Sequence, residues 1–258
     1  MSVDERELVG SISLTDFAAL CDLQGHEDVP YPFAHSAPLL QDEGSDAGTR
    51  PVAERFSNGD LRIFAAWIEA YRRADIWVRC RVHYRCGPDT RLLALRADES
   101  GFLASQRSGQ DVVDVYSLSA YDLGPAIASS VVLTKPGRRS RIVIPSCVNY
   151  FVDADVDYDD DRVVSVRAPV AGPTGVRVRD AEVAALATVQ SHHLPARSWG
   201  VNWEEKFLVW VRVDDDGDYI YDAAFSHAEP MSERKLGERI DGLIGEDVAA
   251  LRRRRGIG

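Results

Sequence analysis

From Ile76 to Arg85 the chain reads IWVRCRVHYR, and its side chains alternate in kind almost without a break. Ile76, Val78, Cys80, Val82 and Tyr84 point one way, while Trp77, Arg79, Arg81, His83 and Arg85 point the other. A period of two is that of a strand with one face on a core, because successive side chains leave a pleated backbone on opposite sides. The stretches that follow extend the constraint. CGPDT supplies a turn, RLLALRA a partner strand, ESG a turn, FLASQR a third strand, SGQ a turn and DVVDVYSLS a fourth strand. Short strands on tight turns predict an antiparallel meander.

Helical spacing flanks this meander. LRIFAAWIEAYRR places Leu61, Phe64, Ala65, Ile68 and Tyr71 on one face, and YDLGPAIASSVV reads as a second helix interrupted early by Gly124 and Pro125. Nearer the start, residues 13–24 read as a helix capped by Ser13 or Thr15 and stopped by Gly25. The polar, proline-containing tract at about 40–57 has little to bury and is expected to be a mobile loop. RIVIP predicts a short strand, the six aspartates from Asp153 to Asp161 a second mobile loop, and DRVVSVRAPV another strand.

A second set then repeats the order. RDAEVAALATVQSHH is expected to form a helix capped by Asp180, followed by strands at about 197–204, 206–213 and 218–224. A helix starts at Ser232, and a short tail helix after Gly245 ends in Arg252–Arg255. The fold class expected is α+β: a central antiparallel sheet with flanking helices, in two pseudo-repeated helix–strands–helix halves at about 58–132 and 178–252.

Composition bounds the function. With 258 residues, 45% of them hydrophobic, the chain can bury a substantial core. No stretch approaches the roughly 20 apolar residues a membrane-spanning helix needs, and MSVDERELVG lacks the basic start of a signal peptide. A cytoplasmic protein without membrane insertion is expected. The net charge of −11 disfavours nucleic acid as a partner, since such binding rests on neutralising phosphates. Cys21, Cys80, Cys86 and Cys147 form no C-x-x-C pair and are expected to be reduced thiols, mostly buried, with no zinc.

Two acidic runs invite a metal reading and fail it. Asp214, Asp215, Asp216, Gly217 and Asp218 sit between stretches of strand period, so Asp-Gly here signals a hairpin. The run from Asp153 has Tyr158 where a calcium loop needs glycine and Val164 where it needs glutamate. The hydrolase, phosphate-loop, dinucleotide and H-E-x-x-H motifs have no counterpart in the sequence. No cofactor, no metal and no catalytic residue is expected, although a Cys–His nucleophile pair is left open by sequence alone.

The informative site is the face carrying Trp77, Arg79, Arg81, His83 and Arg85, to which Trp210 and Arg212 add a similar mix from the second half. One reading is a solvated face laced with cross-strand ion pairs. The other is a docking surface, because aromatic residues and arginine anchor interfaces and arginine makes forked contacts with carboxylates. On the docking reading, Arg81→Glu should abolish the complex and leave the melting temperature nearly unchanged.

Four stretches carry a resemblance: SISLTDFAALCDLQGHEDVPYPF, the run from IWVRCRVHYR through DVVDVYSLSAYDLGPAIASSV, RSRIVIPS, and FLVWVRVDDDGDYIYDAAFSHAEPMSERKLGERIDGLI. Together they resemble the EspG family, cytosolic chaperones of type VII secretion. The resemblance implies a single domain over residues 1–258, with a central antiparallel sheet and helical bundles related by a pseudo-two-fold. It further implies a specificity chaperone that shields the apolar helical tip of a PE–PPE-like heterodimer or related secretion substrate, with no cofactor and no catalysis; weak homo-oligomerisation is compatible with it. The chain departs from the family in its short Cys86–Thr90 turn and its aspartate run at 153–161. Two other classes stand beside this one. An enzyme would need a sheet-floored pocket with His83 or His192 beside a carboxylate. A nucleic-acid binder would use the arginine face and Arg252–Arg255.

Overall fold

The computed structural model describes residues 6–23, 29–36, 50–147, 175–193, 200–202 and 205–256. At its centre lie β2 (Ile76–Tyr84) and β8 (Val183–His192), paired antiparallel from Trp77↔His192 to Tyr84↔Ala185. From this seam two meanders run outward in opposite directions. On one side β3 (Thr90–Ala97), β4 (Ser100–Gln106) and β5 (Val112–Ser119) follow in order. Outside β5 lies β1 (Glu7–Ser13), which the sequence reading missed. On the other side come β9 (Phe207–Val213), β10 (Gly217–Tyr221) and β11 (Ala228–Pro230), then β6 (Ile142–Val143) and β7 (Val176–Arg177). The sheet has 11 strands, antiparallel throughout except for the β6–β7 pair. The class is α+β, as expected.

Each face is covered. On one, α4 (Leu123–Ser130) and the long α5 (Glu233–Arg254) pack together over the seam. Leu123, Ile127, Leu236, Ile240 and Ile244 share a core there with Ile76, Val78, Cys80 and Val82 of β2 and with Ala185, Ala187 and Val189 of β8. Pro125 lies in the first turn of α4, where its missing N–H costs no helical bond. On the opposite face α1 (Leu14–Asp22), a 3-10 turn at Asp60–Phe64 and α3 (Ala65–Arg73) cover the first meander. There Phe17, Phe33 and Trp67 pack with Leu93, Leu95, Phe102 and Val115. A third cluster on the second meander joins Ile142, Ile144 and Val178 to Val209, Val211, Tyr219 and Tyr221. Ser13 caps α1, its hydroxyl accepting from the Asp16 amide at 3.0 Å.

The sequence expectations are corrected at three places. Residues 183–192 are a strand, not a helix. Alanine favours helices, but this segment is hydrogen-bonded on both edges, to β2 and β9, and the pairing overrides intrinsic preference. Its small residues have a packing role, since Ala187 stands directly opposite Trp210 and leaves room for the indole. The second half therefore opens on a strand, where the first opens on a helix. Residues 52–58, which overlap the expected loop at 40–57, form α2 (Val52–Asn58). Arg55 fixes it by pairing with Asp16 and Asp60, both at 2.8 Å, while Val52 and Phe56 pack against the core. Finally, α5 continues through Gly242 and Gly245 to Arg254 without a separate tail helix. The aspartate run 153–161, the expected strand in DRVVSVRAPV and Gly25 lie outside the described residues.

Candidate functional site

The acidic knot Asp214–Asp218 is the turn of the β9–β10 hairpin, with each buried aspartate holding the chain that follows α4. Asp216 accepts from the Arg138 amide at 2.8 Å and from the Tyr219 hydroxyl at 2.8 Å. Asp218 accepts from Arg212 Nε at 2.8 Å and from the hydroxyl of Thr134 at 3.0 Å. Among the described residues no group of three or more histidine, cysteine, aspartate or glutamate side chains is placed to hold a metal ion. The four cysteines are free, and Cys86 alone of them is exposed.

The structure divides the seven candidate residues between the two faces of the sheet. Arg79, Arg81 and His83 lie on the face away from α4 and α5, together with Trp77. Trp210 and Arg212 lie on the helix face, because Trp210 pairs with Ala187 and Arg212 with Ala185. Their assignment to a common docking surface is corrected. Trp210 is fully buried beneath the helices, and Arg212 reaches Asp218 and the Val132 carbonyl. The alternation that placed them was read correctly, but a central strand buries both of its faces.

On the first face Trp77 is largely buried against the α3 layer. Arg79 is half-buried, with its guanidinium 5.8 Å from the Tyr31 ring centroid, and its Nε has no hydrogen-bond partner. Arg81 and His83 converge on one carboxylate, Asp89 of the β2–β3 turn. Arg81 Nε and Nη2 each lie 2.8 Å from Asp89 Oδ2, and His83 Nδ1 lies 2.9 Å from Oδ1. Arg91 adds a contact at 3.0 Å. Burial works against the charge of Asp89, but the bonds from Arg81 and His83 and the charges of Arg81 and Arg91 outweigh it. They hold its pKa below the usual carboxylate range. Arg85 pairs with Asp214 at 2.6 Å. The cross-strand ion pairs are therefore present, and they form an ordered border rather than a set of unpaired cations.

Between the two covered parts of this face, the middle of β2 and β8 stays less covered. Arg81, Leu186 and Thr188 are half-buried, as is Arg91 opposite Arg81 on β3, and His83 is 64% exposed at its side chain, while the β9 partners of Thr188 and Leu186, Val209 and Val211, are buried. Leu186 sits opposite His83, and Thr188 opposite Arg81. The result is a narrow strip with an apolar and hydroxyl-bearing side on β8 and a charged side on β2. Asp89 was not singled out from the sequence; its place in a tight turn after four alternating basic residues was the available signal.

Both histidines that an enzyme reading invoked have a carboxylate neighbour. His192 Nδ1 lies 2.6 Å from Glu205, and His83 contacts Asp89. His83 stands on open surface, and His192 is 3% exposed with its Nε2 buried and unpartnered. Burial pulls the His192 pKa down, against the pull of Glu205. A cleft of about 190 Å³ lies elsewhere, beside Asp75 and the end of α5.

No protein-family model and no curated protein matches the chain. Among solved structures, the chain is similar to the Mycobacterium tuberculosis type VII secretion system chaperone EspG5, solved in complex with a PE25-PPE41 dimer. Identity is 12%, coverage 91% of this chain and 95% of that chain, and the TM-score 0.48.

Proposed function

We propose that the protein is a cytosolic specificity chaperone or adaptor. It would shield the apolar helical tip of a PE–PPE-like heterodimer or related helical secretion substrate, without catalysis. Two lines support this reading. The four sequence stretches resemble the EspG family, and the family's central antiparallel sheet matches the seam of β2 and β8 from which the two meanders depart. The observation that carries it is the strip of Arg81, His83, Leu186 and Thr188, the less-covered part of an otherwise buried sheet centre. An exposed apolar helical end is an aggregation hazard. A strip with one apolar side and one rigid, hydrogen-bonded side can cover such an end and fix its orientation. Because Asp89 already holds Arg81 and His83, the contact is shaped by this ordered border more than by new ion pairs.

Co-expression with a PE–PPE-like pair and size-exclusion chromatography test the proposal. The wild-type chain should elute with the pair. Thr188→Trp, which fills the strip from an incompletely buried strand position, should remove the complex while the melting temperature holds. No complex with any PE–PPE-like pair would overturn the function, and unchanged binding by Thr188→Trp would overturn the site.

A further inference from the structure

At the opposite end of β2 from the Asp89 network, the chain builds a second polar site. Asp75 immediately precedes β2, and Arg96 of β3 pairs with its first residue. Ile76 and His83 are seven residues apart, so the two sites are separated by roughly 23 Å of extended chain. With Val248, Leu251 and Arg252 of α5 and Arg255 at its C-terminal cap, Asp75 and Arg96 line the cleft of about 190 Å³. Val248 and Leu251 form its apolar floor and pack on the core beneath, while Arg252 and Arg255 stand exposed at its rim. Arg252, Arg253, Arg254 and Arg255 make no ion pair among the described residues. Asp75 lines the cleft as well. Its Oδ1 is buried without a hydrogen-bond donor, and the nearest guanidinium nitrogen, Arg96 Nε, is 4.0 Å away.

We infer that this cleft docks an acidic peptide segment of a partner protein, with carboxylates on Arg252 and Arg255 and an apolar side chain on Val248 and Leu251. Charge complementarity argues for that occupant. A run of four arginines on a protein of net charge −11 is a local exception that selects an acidic partner. Arginine forks match carboxylates geometrically. A phosphate backbone or a lipid headgroup would satisfy the arginines but bring no apolar side chain to Val248 and Leu251. The site lies away from the strip proposed above, so the two stand or fall separately.

The test is fluorescence anisotropy on the full chain with a fluorescein-labelled peptide of alternating glutamate and leucine. Single-stranded DNA and phosphatidylglycerol vesicles serve as the other probes. The double variant Arg252→Glu/Arg255→Glu should weaken peptide binding by tenfold or more. Arg62→Glu/Arg234→Glu, which makes the same charge change at exposed positions elsewhere, should stay within twofold. Peptide binding by the Arg252/Arg255 variant within twofold of wild type overturns the inference. So does cluster-dependent binding of DNA or vesicles that is tighter than that of the peptide.

Discussion

Arg212 and Asp218 face each other across the β9–β10 hairpin, Nε to Oδ1 at 2.8 Å, and Asp218 has no exposed surface. The second oxygen of Asp218 takes the amide and hydroxyl of Thr134, so one carboxylate joins the hairpin to the segment leaving α4. Removing one partner of a buried pair leaves the other charge uncompensated. Asp218→Ala should cost about 3–5 kcal/mol in urea unfolding. Asp215→Asn, at the exposed tip of the same turn and with a side chain that tolerates its φ of 56°, should change stability by less than about 0.5 kcal/mol.

Glycine has opposite meanings in two parts of the chain. Gly217 has φ +153°, and a Cβ there would lie 2.4 Å from the carbonyl oxygen of Lys135. Gly242 and Gly245, within α5, would place a Cβ in open space. Gly217→Ala should therefore lower the melting temperature sharply. Gly242→Ala and Gly245→Ala should each raise stability by up to about 1 kcal/mol, since alanine loses less backbone freedom in a helix. Thermal melts of the three variants check both signs.

Arg81→Glu does not behave as the sequence suggested. It places a glutamate against Asp89, whose side chain is 8% exposed and whose charge depends on Arg81. The variant should lose stability, and more of it than Arg81→Gln. Asp89 has a depressed pKa in the folded state, so its contribution is present above the unfolded value of about 3.9 and is lost as pH falls through the folded value. The gap between wild type and Arg81→Gln should accordingly narrow in acid, as read by urea midpoints between neutral pH and pH about 2.

His192 sets a second pH dependence. Glu205, Arg79 and Asp247 all act on it, but burial dominates and holds its pKa below the ordinary value. The unfolded chain takes up this proton near pH 6.5 and the folded chain does so only at lower pH. Stability should fall as the medium is acidified from about pH 6.5, and His192→Gln should flatten that part of the curve. Melting temperatures at half-unit intervals of pH show whether the slope belongs to this residue.

The first meander was legible because its strands alternate, its turns carry glycine, aspartate and proline, and neighbouring strands are consecutive in the chain. Three things were not. The strand at 183–192 is written in alanines that suit a helix, and only the neighbours β2 and β9 make it a strand. The strand at 7–13 gains its partner β5 a hundred residues later, so nothing local announces it. The site was half legible for a related reason. Alternation says which residues share a face of one strand, but not which face of the sheet that becomes, and so Trp210 was grouped with Trp77 although they lie on opposite sides.

The pairing of β2 with β8 has a consequence for synthesis. When the ribosome has completed the first meander, β2 still presents a bare hydrogen-bonding edge. Its cover, ending at His192, emerges about a hundred residues after Tyr84. At roughly 5–20 residues per second, that edge stays open for about 5–20 seconds. During that interval the nascent chain is itself a candidate for aggregation, and Arg79, Arg81 and Arg85 along the open strand supply the charge that keeps other edges from joining it.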